Sequence, residues 1–204
     1  MQEYFTYAPV ASVIFAATLI ASLLAFYNEE LHLKWMLHPY SINRGSKFYT
    51  VITSGFIHRD WSHLLFNMIS YYFFAFRLET RLGHWQFAVL YFASLVLSDL
   101  PSIQKHKNDI WYHSLGASGA ISAVIFSGIL FDPLAGMYLM FIPIAVPAII
   151  FGVLYLIYCW WASKASRDNI NHDAHLFGAL SGIAITIILM PGVIPLFLRQ
   201  LGAR

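Results

Sequence analysis

Charged residues in this chain gather into short clusters, and between them lie six long stretches with none: residues 4–28, 61–76, 82–98, 110–131, 133–163 and 174–198. A helix needs roughly 20 apolar residues to cross the hydrocarbon core of a bilayer, with about 17 as the short limit. Four stretches meet that length, and two reach it only if their flanks join. The pattern predicts six spans, near residues 8–27, 61–78, 84–100, 117–131, 147–163 and 174–192. Backbone polar groups in lipid must find partners within their own segment, so each span reads as a helix. The expected fold is an all-α, six-transmembrane-helix bundle. No Gly/Ser- or Pro-rich linker, repeat or low-complexity tract divides the chain, so residues 1–204 read as one domain.

The connections carry their own signals. Residues 28–60 mix Trp35, Met36, Leu37, Pro39 and Tyr40 with Lys34, Arg44 and Lys47. Such an amphipathic mixture predicts a first loop lying in the membrane interface. Residues 98–114 and 163–173 are polar connections, and Pro133 and Pro143 interrupt residues 132–146. Pro147 suits the first turn of the fifth helix, where its missing N–H costs nothing.

Composition agrees with lipid as the solvent. Apolar residues make up 59% of the 204 and charged ones 11%, against about 25% charged in a typical soluble domain. A net charge of +2 with no basic run speaks against nucleic acid as a partner. Cys159 stands alone, which excludes an intrachain disulfide. The first apolar stretch is too long for a signal-peptide core and has no basic residue before it, so it reads as an uncleaved span. With six spans, Arg77, Arg81, Arg199 and Arg204 share the side of the termini. Lys34, Arg44, Lys47, Arg59, Lys105, Lys107, Lys164 and Arg167 lie opposite. Taken literally, this distribution places the termini outside, but the interfacial loop supplies half of the second group and counts poorly.

Polar groups inside apolar spans cost several kcal/mol unless partnered, so they mark candidate chemistry. His63 and Asn67 are one helical turn apart on one face, and both donate hydrogen bonds. As an isolated pair they read as glue between helices. Ser118 opens the fourth span, where the first-turn amides lack helical acceptors and the helix dipole favours an anion. Gly119, Ala123 and Ser127 follow at fourfold spacing, as Ala174, Gly178 and Gly182 do beside His175 in the sixth span. Such stripes let two backbones approach closely, and facing each other they would bring Ser118 and His175 together. Imidazole is a base near neutral pH, which a serine needs to become a nucleophile. Asp173 points about 200° away from His175 on a helix, and every other carboxylate lies at a span end or in a connection. The arrangement reads as a Ser–His dyad. HExxH is absent, and His172 with His175 offers no further ligand in the span, so neither metal nor cofactor is expected.

With these motifs in order, the chain resembles a rhomboid intramembrane serine protease. His63–Asn67 matches HxxxN, Leu78–Gly83 matches LExxxG, Gly116–Gly119 matches GxSG, and His175–Gly182 matches HxxGxxxG. The resemblance implies Ser118 as nucleophile and His175 as general base. It implies an oxyanion hole at His63, Asn67 and the amides of Ser118 and Ala117. It makes Glu79 and Arg81 structural, fixing the connection after the second span, with Gly83, Gly116, Gly119, Gly178 and Gly182 as the motif glycines. Transmembrane proteins with helix-breaking segments and a small residue before the cut are the implied substrates, the bilayer is the other partner, and the termini are cytoplasmic. The expected location is a bacterial inner membrane. One departure is Ser122, where several members carry an aromatic stacked on the base. Residues 160–171 are expected to form a flexible lid. The rival readings are an inactive rhomboid-like protein that binds and escorts membrane clients, and a transporter, against which no inverted repeat and no carboxylate within a span are found.

Overall fold

The apolar stretches form helices in a computed structural model that describes residues 6–138, 144–165, 168 and 170–202. The main helices are α1 (Pro9–Tyr27), α2 (Trp61–Leu82), α3 (His84–His106), α4 (Ser118–Phe131), α5 (Ala148–Ala165) and α6 (His172–Leu189), followed by a short terminal helix, Val193–Gln200. Among the described residues, α1, α3, α5 and α6 are long and apolar enough to cross a membrane. α2 is 22 residues long but less apolar, because it carries His63, Asn67, Arg77, Glu79 and Arg81. α4 is short: its 14 residues give a rise of about 21 Å, less than the roughly 30 Å hydrocarbon core.

α4 packs against α2, α3, α5 and α6, with α6 its most extensive partner. Tyr71, Phe87, Leu90, Tyr91 and Val124 are fully buried in the core that α1 to α4 share. Outward faces are apolar instead of polar: Ile20, Leu24, Phe73, Leu154, Ile157 and Ile188 are all exposed. Apolar residues facing outward in this way suit lipid as the solvent.

Glu79 explains how α1 is set. The N-cap of that helix, Ala8, supplies no side-chain acceptor, and its first turn has no acidic residue. The fully buried Glu79 of α2 fills the role, accepting the amides of Val10 at 3.1 Å and Ala11 at 2.6 Å, while His84 Nδ1 lies 2.6 Å away. A carboxylate at a helix N-terminus satisfies orphan amides and opposes the dipole. Arg81 and Arg77 converge on Asp132 at 2.5 and 2.6 Å, fastening the end of α2 to the end of α4. Gly83 joins α2 to α3 at φ +100°, where a Cβ would strike Gln86.

Three local expectations change. α3 runs through Pro101 to His106, so Asp99 lies inside a helix and is 8% exposed. The reading that no span contains a carboxylate is thereby corrected: proline at that point removes one amide donor without ending the helix. α5 starts at Ala148, because Pro147 closes a small antiparallel hairpin between Gly136–Tyr138 and Ala145–Pro147. The expected lid at 160–171 is helical as far as Ala165. Residues 166, 167 and 169 lie outside the described residues.

The first loop is built from short helical turns, Glu29–Trp35, Pro39–Ile42 and Thr50–Thr53, with a 3₁₀ turn at Ser54–Phe56. It clasps the segment that leads into α4. Leu37 and Ser114 exchange backbone hydrogen bonds at 2.9 and 3.2 Å, and Gly116 N–H donates to Ser54 O at 2.9 Å. Leu33, Phe48 and Tyr49 remain exposed on it.

Candidate active site

The small-residue stripes of α4 and α6 do pack face to face. A Cβ on Gly178 would collide with the carbonyl oxygen of Gly119 and lie 2.8 Å from its carbon; one on Gly182 would lie 2.5 Å from Ala123 Cα. At the far end of the seam the buried Thr186 hydroxyl donates to Ser127 Oγ at 2.6 Å. At the near end, a Cβ on Gly119 would lie 3.4 Å from Ala174 O. Ser118 and His175, each adjacent to one of those residues, therefore stand at the same end of two touching helices.

Ser118 is the first residue of α4, after Ala117 as N-cap. The first backbone bond of this turn runs from Ile121 N–H to Ala117 O. The amides of Ala117 and Ser118 have no acceptor among the described residues, as the opening of a helix leaves them. Gly116 reaches the turn at φ +120°, and a Cβ there would meet His63 Cε1 at 2.7 Å and Nε2 at 2.8 Å. The Cε1–Nε2 edge of the His63 imidazole thus lies against the loop two residues before Ser118, and only glycine leaves room for it.

His63 owes its position to the cap of α2. Asp60 Oδ1 accepts the His63 amide at 2.8 Å and the Ser62 hydroxyl at 2.6 Å, and Arg59 pairs with Oδ2 at 2.8 Å. The Ser62 bond, then the His63 amide and Arg59, hold this carboxyl well below the usual carboxylate range. Asn67 is nearly buried and donates one Nδ2 hydrogen to His63 O at 2.9 Å, which leaves its second hydrogen for another acceptor.

The start of α6 is held by Asn171. Its Oδ1 accepts Ala174 N–H at 3.0 Å, and its Nδ2 donates to Ser102 of α3 at 2.8 Å and to Ser114 at 3.3 Å. One amide thus ties α3, the loop before Ser118 and the helix of His175. Asp173 is occupied by Lys105 at 3.2 Å, in keeping with a direction away from His175. Ser118, Gly116, Gly119, Ser98, Asp99 and Asn171 line a polar cavity of about 10 Å³, room for about one water. His63 and His175 lie outside that lining, and among the described residues no hydrogen bond joins Ser118 to His175.

The ring that flanks the candidate base comes from α5. Tyr155 lies nearly parallel to His175, with centroids 6.3 Å apart and an interplanar angle of 18°. Its hydroxyl meets Ser122 Oγ at 3.2 Å. The position where several rhomboids place an aromatic therefore holds a small hydroxyl that anchors an aromatic from the next helix. Cys159 follows Tyr155 by one turn and is fully buried. It gives His172 and His175 the third soft donor that their own span lacks. Sequence reasoning missed Tyr155, Cys159, Asp99 and Asn171; only the N-cap preference of asparagine before a helix pointed to the last.

A match to the rhomboid domain covers residues 45–192. The chain belongs to the rhomboid family. Among similar proteins, YdcA of Bacillus subtilis (strain 168), provisionally named a rhomboid protease, is 29% identical over 92% of both chains. Rhomboid protease GlpG of Salmonella choleraesuis (strain SC-B67) is 24% identical over 86% of this chain and 61% of its own. RHOMBOID-like protein 12, mitochondrial, of Arabidopsis thaliana is 27% identical over 75% of this chain and 50% of its own. This rhomboid spans between half and three-fifths of the length of the plant and Salmonella relatives, and it is an integral membrane protein.

Proposed function

We propose that this rhomboid is a serine endopeptidase of a bacterial inner membrane that cleaves transmembrane proteins near the membrane surface. His175 takes the proton of Ser118 Oγ as that oxygen attacks the substrate carbonyl. The tetrahedral oxyanion is met by the amides of Ser118 and Ala117 and by His63 and Asn67. Collapse breaks the C–N bond, His175 gives its proton to the leaving amine, and an acyl-enzyme forms on Ser118. His175 then takes a proton from water as it attacks the ester, the acyl C–O bond breaks, and the imidazolium returns the proton to Ser118 Oγ. Tyr155 steadies the imidazole plane throughout. Proton transfer needs Ser118 Oγ and the imidazole within about 2.6–3.2 Å, a distance that apo sites commonly reach only with substrate in place.

The observation that supports this reading is the glycine seam, in which Gly119 and Ala174, the neighbours of Ser118 and His175, meet across two helices while His63 lies against Gly116. A polar cavity at Ser118 supplies a place for water. The deciding test is Ser118→Ala against a panel of single-span reporters in proteoliposomes. Cleavage should vanish while the protein still folds, and wild-type protein should take a fluorophosphonate label that Ser118→Ala does not. Cleavage by the alanine variant ends the proposal, and a wild type that neither cleaves nor labels is a client-binding rhomboid. In the same assay, losing an oxyanion donor with His63→Ala or Asn67→Ala should each lower turnover by about 10²–10³-fold.

A further inference from the structure

Three metal-binding side chains converge at the start of α6 and the facing turn of α5. Cys159 Sγ and one ring nitrogen each of His172 and His175 all lie within 4.8 Å of one another. Cys159 is fully buried and His172 is 4% exposed, while His175 is partly exposed and gives the cluster a way to solvent. His172 Nε2 is 3.1 and 3.2 Å from the two carboxylate oxygens of Asp168. Its Nδ1 is buried with no partner among the described residues.

That pattern has a specific chemical meaning. A carboxylate on one imidazole nitrogen fixes the proton there and leaves the other as a bare, basic lone pair, the arrangement that surrounds metal-ligating histidines. An unpartnered buried nitrogen otherwise costs desolvation without return. Thiolate plus two imidazoles is a donor set for Zn²⁺, whose Cys and His ligands stand about 2.3 and 2.0–2.1 Å from the ion. In a tetrahedral site those lengths put ligands roughly 3.5 Å apart, so the present spacing closes with small side-chain rotations.

We propose that Cys159, His172 and His175 form an inhibitory zinc site. Binding displaces the Cys159 proton to solvent, and the thiolate and two neutral imidazoles join Zn²⁺, with water in the fourth position. A neutral imidazole has a single lone pair. Once His175 gives it to the ion, its other nitrogen carries hydrogen and has no capacity to accept the Ser118 proton. Metal occupancy and catalysis exclude each other, and free zinc near the membrane surface switches proteolysis off. The inhibitory effect rests on the protease reading above; the binding site does not.

The test uses the full chain in detergent, stripped with EDTA, and two readouts. CoCl₂ titration should give a thiolate-to-cobalt charge-transfer band saturating at one equivalent and reversed by ZnCl₂. Cys159→Ser should lose the band, and Asp168→Asn should weaken cobalt affinity by about 10–100-fold. In reporter cleavage, zinc should inhibit the wild type, and Cys159→Ser and His172→Asn should need at least about 10-fold more zinc relative to their own metal-free rates. Absence of the band in wild-type protein, or equal zinc sensitivity of Cys159→Ser, overturns the site. A protein that forms the band but cleaves nothing even without metal keeps the site and refutes the protease reading.

Discussion

Gly178→Ala is the sharpest probe of how this fold holds its serine. In open space on a helix, glycine to alanine stabilises by up to about 1 kcal/mol. At Gly178 the added methyl would overlap the Gly119 carbonyl, lying 2.8 Å from its carbon and 3.1 Å from its Cα. These are backbone atoms that no rotamer change removes. Ordinary carbon contacts need about 3.5–4.0 Å, so α4 and α6 must part by roughly 1 Å along their near end. Overpacking of this size costs about 1–3 kcal/mol, enough to outweigh the propensity gain. A shift of about 1 Å between reacting groups is also worth on the order of 10² in rate. Gly128 supplies the control, because a Cβ there meets nothing within 4 Å. Thermal unfolding in detergent and reporter cleavage, run side by side, should show Gly178→Ala less stable and about 10²-fold slower. Gly128→Ala should be unchanged or slightly more stable. If Gly178→Ala matches wild type in both measurements, backbone contact at the seam does not set the site.

Three further outcomes follow from the geometry. Tyr155→Leu removes the ring flanking His175, and an aromatic contact of about 0.5–1.5 kcal/mol corresponds to roughly a 2–12-fold fall in kcat with KM unchanged, while Tyr155→Phe should keep most of the rate. Glu79→Ala strips the acceptor from the Val10 and Ala11 amides; leaving such donors buried costs about 1–3 kcal/mol each, read as a lower midpoint in thermal unfolding. His58, in the connection before α2, is pushed down to about 3, first by burial and then by His63, against the opposing pull of Asp60. A depressed histidine is stabilising above its unfolded value near 6.5 and loses that contribution as pH falls towards 3. Stability should therefore drop between pH 7 and 4 by at most about 1.4 kcal/mol per unit below 6.5, and His58→Phe should flatten the curve.

Charge-free stretches located the helices, except for the last six residues of α3, because a bilayer punishes every unpaired charge and so writes its thickness into the sequence. The seam was legible for a related reason: Gly119, Gly178 and Gly182 recur at fourfold spacing, and only small residues permit that approach. Asp99 was misread because it ends the charge-free stretch at 82–98 and so counts as a span end, whereas α3 runs on through Pro101 to His106. Tyr155 and Cys159 left no signal at all. α5 is apolar around its whole circumference, with Tyr155, Tyr158, Trp160 and Trp161 scattered on every side, so periodicity marks no inward face. Their positions depend on which way α5 turns beside α6, and one chain read alone carries no such rotation angle. The clasp between the first loop and Ser114 was equally hidden, since it consists of backbone groups that every residue possesses.

The mooring of α1 by Glu79 bears on how the molecule is made. The acceptor for Ala11 lies 68 residues further along the chain, so the leading end of α1 stays chemically incomplete until α2 has been synthesised. The ribosome therefore delivers α1 before its acceptor, which leaves that helix provisional. A nascent chain stopped short of Glu79 leaves those amides without their acceptor, which gives quality control a physical basis to recognise it.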